Sequence, residues 1–300
     1  MKPSTLFKKT YKALAITSLS LTLVLSNNAY AHKHAAKSEI SFETTKIRNG
    51  LYMLNGVGGF AGGNIALTVG DDGVVMIDNG VSALLDALKE EIKKTTDKPI
   101  DYLINTHLHQ DHTGNNAGFS SDGAQIISHD NVRSALSEKK PADALPIMTF
   151  SDQMTLHVNG DTAKIIHVKN AHTNGDAVIH FQKANVIHTG DLMFNGLFPF
   201  IDADNGGRLD GVITGLKMIA SLSNSETKII PGHGPLASKP DVEKTIAILE
   251  DARNLISALV EQGKTDEEIH SVNPLNKYES YSWSFIDTKK MTNQVISNVR

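Results

Sequence analysis

The segment Thr106-His107-Leu108-His109-Gln110-Asp111-His112-Thr113-Gly114 places four residues of metal-ligand type within six positions. It follows directly on 100–105, an apolar run that reads as a buried strand. A chain leaving a strand stays extended for a residue or two. His107 and His109, two apart, then point the same way and can share one cation. Asp111 and His112 fall after the turn and face a neighbouring position. A lone His-x-His would read equally well as a solvated loop.

Three further segments argue against that reading. His172 follows the strand-like run 163–168, in Ala171-His172-Thr173-Asn174-Gly175-Asp176. Asp191 follows 185–188, in Thr189-Gly190-Asp191, and His233 follows 228–230, in Pro231-Gly232-His233-Gly234. Each candidate sits just past the C-terminal end of a strand, where open α/β sheets place their sites. The chain has no cysteine, which excludes thiolate zinc sites, iron–sulfur clusters, disulfides and a cysteine nucleophile. Any metal ligands must be imidazole and carboxylate.

The elements that position these residues alternate between strand and helix. Residues 45–54 read as an edge hairpin turning at Asn49-Gly50, and 56–63 as a glycine-rich loop. Short apolar strands are expected over 64–69 and 74–77. Ser82 is expected to cap a helix to about Thr95, with Leu84, Leu85, Leu88 and Ile92 at helical spacing. Strands follow at 125–128, 154–158, 163–168, 177–181, 185–188 and 228–230. Helices are expected over 130–137, 209–222 and 240–262, with another starting near Thr265. Helices alternating with runs of strands predict an α/β fold of two sheets covered by helices.

Composition bounds the rest. At 300 residues, 40% hydrophobic and 21% charged, the chain is ordinary globular material, neither collagen-like, disordered nor polytopic. Lys2, Lys8, Lys9 and Lys12 precede the largely apolar run 13–25, and Ala29-Tyr30-Ala31 closes it. That is the layout of a secretory signal peptide over 1–31, too short for a comfortable membrane span. Its removal shifts the net charge from −4 to about −8, since four Lys and no acids are lost. The expected product is a periplasmic or secreted domain, 32–300, with a core at about 46–262 and an extension over 263–300. Once cleaved, it has no stable membrane insertion. An acidic surface is a poor holder of phosphate backbones, so no nucleic-acid partner is expected. A mature start at His32-Lys33-His34 would suit Cu(II) or Ni(II) chelation through the free amine.

The order His-x-His-x-Asp-His, His, Asp, Gly-His-Gly resembles the metallo-β-lactamase superfamily of hydrolases, over about 46–262. The resemblance implies a four-layer αβ/βα sandwich with the site at one edge of the two sheets. It implies that His107, His109 and His172 hold a first metal, that Asp111, His112 and His233 hold a second, and that Asp191 bridges them. Asp78 matches a carboxylate that orients a ligand, or is simply a turn residue before Asn79-Gly80. Nitrogen and oxygen donors suit two Zn²⁺ per chain and admit Fe or Mn. Two such ions sit roughly 3.5–4 Å apart, and a water between them ionises near neutral pH. Asp111 can orient that nucleophile. The expectation is hydrolysis of a small acyl C–O or C–N bond, in a β-lactam, lactone, ester or thioester. The alternatives are an iron-dependent redox enzyme on the same fold and a nuclease-type member.

The bridging acid makes the chain look more like the glyoxalase II and lactonase members than like the β-lactamases. Glyoxalase II, however, is intracellular, whereas this chain is expected to be exported. After Asp191 there is no Lys to hold a β-lactam carboxylate, and Arg208 is the nearest cation. Phe194, Phe198 and Phe200 read either as core or as an apolar substrate wall. Phe60 sits on either a flap or a plain turn. His129 is expected to begin a helix, His157, His167, His180 and His188 to lie on strands, and His270 at the surface.

Overall fold

A computed structural model describes residues 40–300; the expected leader and the chelating His32-Lys33-His34 lie outside the described residues. The first sheet begins with a hairpin, β1 (Ser41–Arg48) and β2 (Leu51–Val57), turning at Asn49-Gly50. Gly50 takes φ 71°, the left-handed conformation such a turn requires. A second hairpin joins β3 (Ile65–Gly70) to β4 (Gly73–Ile77). From β4 onward the pairing is parallel, through β5 (Tyr102–Ile104), β6 (Gln125–His129) and β7 (Met148–Phe150). The crossovers carry α1 (Leu85–Lys93), the short α2 (Gln110–Thr113) and α3 (Asn116–Ser121), and α4 (Asp130–Ser137).

The second sheet has the order β12-β11-β10-β9-β8. Its strands are β8 (Gln153–Val158), β9 (Asp161–Val168), β10 (Asp176–Phe181), β11 (Val186–His188) and β12 (Lys228–Ile230). Only the β11–β12 pair is parallel, and α5 (Leu209–Leu222) makes that crossover. Then come α6 (Lys239–Glu261), α7 (Asp266–Val272) and α8 (Thr288–Val299). Ser238 and Asp241 form a reciprocal cap on α6, with Pro240 in its first turn.

Burial on both faces of each sheet explains the near-continuous apolar runs of β3 and β4. Between the sheets, Met53, Val75, Ile77 and Ile104 share a core with Ile165, Ile179, Phe181 and Ile230. Outside the first sheet, Leu67, Met76 and Leu103 pack with Leu88 and Ile92 of α1. Outside the second, Val178, Ile187 and Ile229 pack with Leu216 of α5, Leu249 of α6 and Val295 of α8. The layers run helix, sheet, sheet, helix: the four-layer sandwich of an α/β fold.

Local departures from expectation have physical causes. Ser82 does not cap a helix through its side chain; it opens a single 3₁₀ turn, Ser82–Leu84, ahead of α1. Strand β7 is too short to show alternation. Helix α8, capped by Asp287, lies in the extension and buries only Thr288, Met291, Thr292, Val295 and Ile296 amid polar residues. Its Gln294 accepts from Ile201 N and donates to Pro199 O, so α8 fixes the run leading into residues 200–202.

Candidate metal centre

Strands β5, β9, β11 and β12 end at one edge of the sandwich, and all seven predicted residues meet there in two groups. In one, His109 Nδ1 lies 3.1 Å from His107 Nε2 and 2.9 Å from His172 Nε2. In the other, Asp111 Oδ2 lies 3.4 Å from His112 Nε2 and 3.2 Å from His233 Nε2. Asp191 stands between them. Its Oδ2 is 3.5 Å from His172 Nε2, and its Oδ1 is 3.1 Å from His112 Nε2. One carboxylate thus turns an oxygen to each group.

The outward nitrogens explain why this arrangement fits cations. His112 Nδ1 is 2.7 Å from Asp78 Oδ2. His107 Nδ1 is 3.0 Å from Thr106 Oγ1, which itself donates to Asp78 Oδ2. His172 Nδ1 faces the Phe200 carbonyl at 2.7 Å, and His109 Nε2 faces Asp202 Oδ2 at 2.8 Å. Each outward acceptor takes the ring proton and leaves a lone pair on the inward nitrogen. Three such nitrogens facing one another at hydrogen-bond distance have no proton to share. Within the second group, His112 Nε2 and Asp191 Oδ1 are buried without a well-formed hydrogen bond. A buried acceptor left this way is costly unless an ion completes it. The donor set therefore fits two cations.

Electrostatics divides the groups. Burial, with His112 close by, holds His107 well below the ordinary imidazole value, and burial brings His172 down to about 4. Both stay neutral, as ligands must. Burial also opposes charge on His233, yet Asp191 and Asp111 raise it to about 9. Burial disfavours charge on Asp111, but His112 and His233 hold it well below the usual carboxylate range. An ion held there would compete with a proton for the His233 nitrogen.

Close backbone approach needs glycine at two places. A Cβ on Gly63 would strike the His112 ring, and one on Gly232 would strike Asp191 Oδ1. Asn64 secures the second loop, donating to Pro231 O and Gly234 O. His188 Nδ1 accepts from Gly190 N and its Nε2 faces Asn64 O, so His188 shapes the turn before Asp191. Both readings of Asp78 hold together: it sits in a turn at φ 60° and orients His112.

A cavity of about 520 Å³ opens over both groups. Phe60, Phe194, Phe200, Trp283 and Phe285 line it beside His109, Asp111, Asp191 and His233. The phenylalanines divide: Phe198 is core, Phe200 faces the cavity, and Phe194 is buried with its ring stacked on His233. Phe60, 58% exposed, also stacks on His233. Arg208 is exposed at the start of α5 and does not line the cavity. A larger groove at the opposite end of the strands contains none of these residues. Its cations are committed, Arg48 to Ala184 O and Glu226 O, and Lys183 to Gly160 O.

Sequence reasoning missed Thr106, Asp202, Asn64, Trp283 and Phe285. Asp202 is indistinguishable by pattern from Asp204, two residues on. Trp283 carried a signal: it is the sole tryptophan, set in a polar extension.

Comparison with known proteins places the chain. The metallo-beta-lactamase superfamily profile matches residues 58–255, and the chain belongs to that superfamily. It is a hydrolase-type member, and its two His/Asp groups suit a dinuclear metal site. It is 26% identical over 134 residues, 42% of this chain and 40% of the relative, to 2,4-dinitroanisole O-demethylase subunit alpha of a Nocardioides species. It is 30% identical over 173 residues, 56% of this chain and 65% of the relative, to hydroxyacylglutathione hydrolase of Pelagibacter ubique. The chain thus spans less than two thirds of either relative's length. A metallo-beta-lactamase from Pontibacter korlensis has the same fold, with a TM-score of 0.62 at 18% identity, covering 70% of this chain and all of that one.

Proposed function

We propose that this chain is an exported hydrolase holding two zinc ions, which cleaves a small acyl C–O or C–N bond in an ester, thioester, lactone or β-lactam. One observation carries the reading: Asp191 turns one oxygen to each of two nitrogen-rich groups at the floor of a single cavity. His107, His109 and His172 would hold one ion, Asp111, His112 and His233 the other, with Asp191 shared. When bound, the pair supplies Lewis acidity, polarising the scissile carbonyl and lowering the pKa of the attacking water.

The chain's own residues do the rest. Asp111 faces both the second group and the cavity, with its side chain 22% exposed. It orients the attacking water and accepts its proton, which then passes to the departing oxygen or nitrogen. Asp78, Thr106, Asp202 and the Phe200 carbonyl keep four imidazoles in the ligating tautomer. Export rests on the basic start, the apolar run and Ala29-Tyr30-Ala31.

The test pairs elemental analysis with a panel of aryl ester, thioester, lactone and β-lactam substrates. Two zinc per chain and turnover of at least one class are expected. Iron with oxygen-dependent turnover would overturn the reading. Mass spectrometry of the mature N-terminus, expected at His32, checks export.

A further inference from the structure

Every side chain that reaches over the two ligand groups from the cavity walls is aromatic, apolar or uncharged. Phe60 stacks on His233 with centroids 6.1 Å apart, and His233 lies 6.2 Å from Trp283. Trp283 lies 5.6 Å from Phe285, Phe285 5.3 Å from Phe200, and Phe200 5.8 Å from His109. These rings form a continuous arc from one ligand group to the other. No Lys or Arg lines the cavity among the described residues. Lys290, which does not line the cavity, is committed to Phe285: its Nζ donates to the Phe285 carbonyl and sits 5.5 Å from that ring's centroid.

The arc is built rather than incidental. Trp283 Nε1 donates to Phe198 O, and Phe198 N donates to Tyr281 O. Residues 281–285 are thereby fastened beside 198–200. Trp283 and Phe285 lie beyond 58–255, the stretch matched to the superfamily. That part of the wall is apolar as well. Phe60 and Phe285 remain 58% and 49% exposed and stand on the rim of the same cavity, where they extend its apolar lining outward.

A negative group held away from the ions would find no partner on these walls and would lose its hydration there. A flat, uncharged ring would gain offset or edge contacts with several partners. Resting on the hydrolase reading above, we propose that the substrate is an uncharged acyl compound bearing an aromatic or similarly flat apolar group. The Phe60–Trp283–Phe285–Phe200 arc receives that group and discriminates against anionic substituents on it.

The test uses zinc-loaded protein and two matched pairs of probes. Acetophenone and 4-acetylbenzenesulfonate cannot be hydrolysed, and each is titrated against the fluorescence of the sole tryptophan, Trp283. The neutral probe is expected to bind at least ~10-fold more tightly, with Phe285→Ala weakening it ~5–10-fold, the scale of one aromatic contact. Phe285→Lys is expected to shrink the neutral preference ~10-fold. Phe285 is exposed enough for both variants to fold, which circular dichroism checks. The reactive pair is 4-methylsulfonylphenyl acetate and 4-sulfophenyl acetate, each rate being divided by that ester's hydroxide-catalysed rate to remove the greater intrinsic reactivity of the sulfone. A kcat/KM ratio of at least ~10 in favour of the neutral ester is expected. Equal or tighter binding of the sulfonates, or indifference to both Phe285 variants, would overturn the proposal. Hydrolysis without the neutral preference sinks this inference and leaves the hydrolase reading intact. Selective binding without hydrolysis of any substrate class does the reverse.

Discussion

His109 Nε2 donates to Asp202 Oδ2 across 2.8 Å, and that bond decides which nitrogen of His109 faces His107 and His172. Replacing Asp202 by Ala frees the ring to rotate or to change tautomer. Metal affinity is expected to fall about 10–100-fold, the usual effect of losing such a partner. Competition with a chromophoric chelator measures it. Unchanged affinity would show that the packing of Phe200 against His109 holds the ring unaided.

Asp111 handles a proton as well as helping to hold one ion, whereas Asp191 serves both ion groups. Asp111→Asn keeps shape but cannot accept a proton and offers the second ion only a neutral oxygen, so turnover is expected to drop at least ~100-fold even when excess zinc refills that site. Asp191→Ala removes an oxygen from both groups at once, so stoichiometry is expected to fall to one ion or fewer per chain. Elemental analysis alongside kinetics distinguishes the two. Wild-type turnover by the Asp111 variant would contradict the role assigned to it.

Gly232→Ala is a small change with a large expected effect. The added methyl would overlap Asp191 Oδ1 and the Gly190 backbone, neither of which can retreat cheaply. Metal loading should fail, while Gly196→Ala, whose Cβ would meet nothing within 4 Å, should load normally. Its own left-handed φ of 77° predicts a loss of stability instead. Metal content and thermal melts together tell the two defects apart.

His167 gives the fold a pH dependence away from the ions. Burial, opposed by a bond to Asp176 O and reinforced by stacked His129, lowers its pKa. The unfolded chain therefore takes up this proton more readily than the native state. Stability from this group is complete above the unfolded imidazole pKa, near 6.5, and is lost as pH falls below it. Urea unfolding of metal-depleted protein at pH 7.5 and 5.5, compared with His167→Gln, isolates the contribution. The variant should lose less stability on acidification than the wild type.

Removing metal tests the whole edge. Ligands that bind only in the native state stabilise it by mass action. Chelation should lower the melting temperature, and zinc should restore it. No shift would mean that the two groups hold no ion in solution.

The seven candidate ligands were legible because each stands just past a strand in a short polar motif, and strand ends share an edge. Helices 130–137 and 209–222 were legible because their apolar spacing is regular. Other features leave no local trace. Asp202 is one acid among several in a loop, and only the fold brings it to His109. Helix α8 buries a few residues on a polar background, so its pattern is weak. Phe198 and Phe200, two positions apart, would share a face on a regular strand; they diverge into core and cavity because 198–200 is an irregular segment with Pro199 between them, which no periodicity describes.

Helix α8 is remote in sequence from the ligands, yet Gln294 on it grips the backbone at Pro199 and Ile201, on either side of Phe200. The tail therefore works as a strut under the cavity wall. A slackened contact on α8 would reach the apolar wall and the ion cradle together, because the same stretch carries Phe200 O against His172 and Asp202 against His109. One distant helix thus ties choice of substrate to retention of the ions.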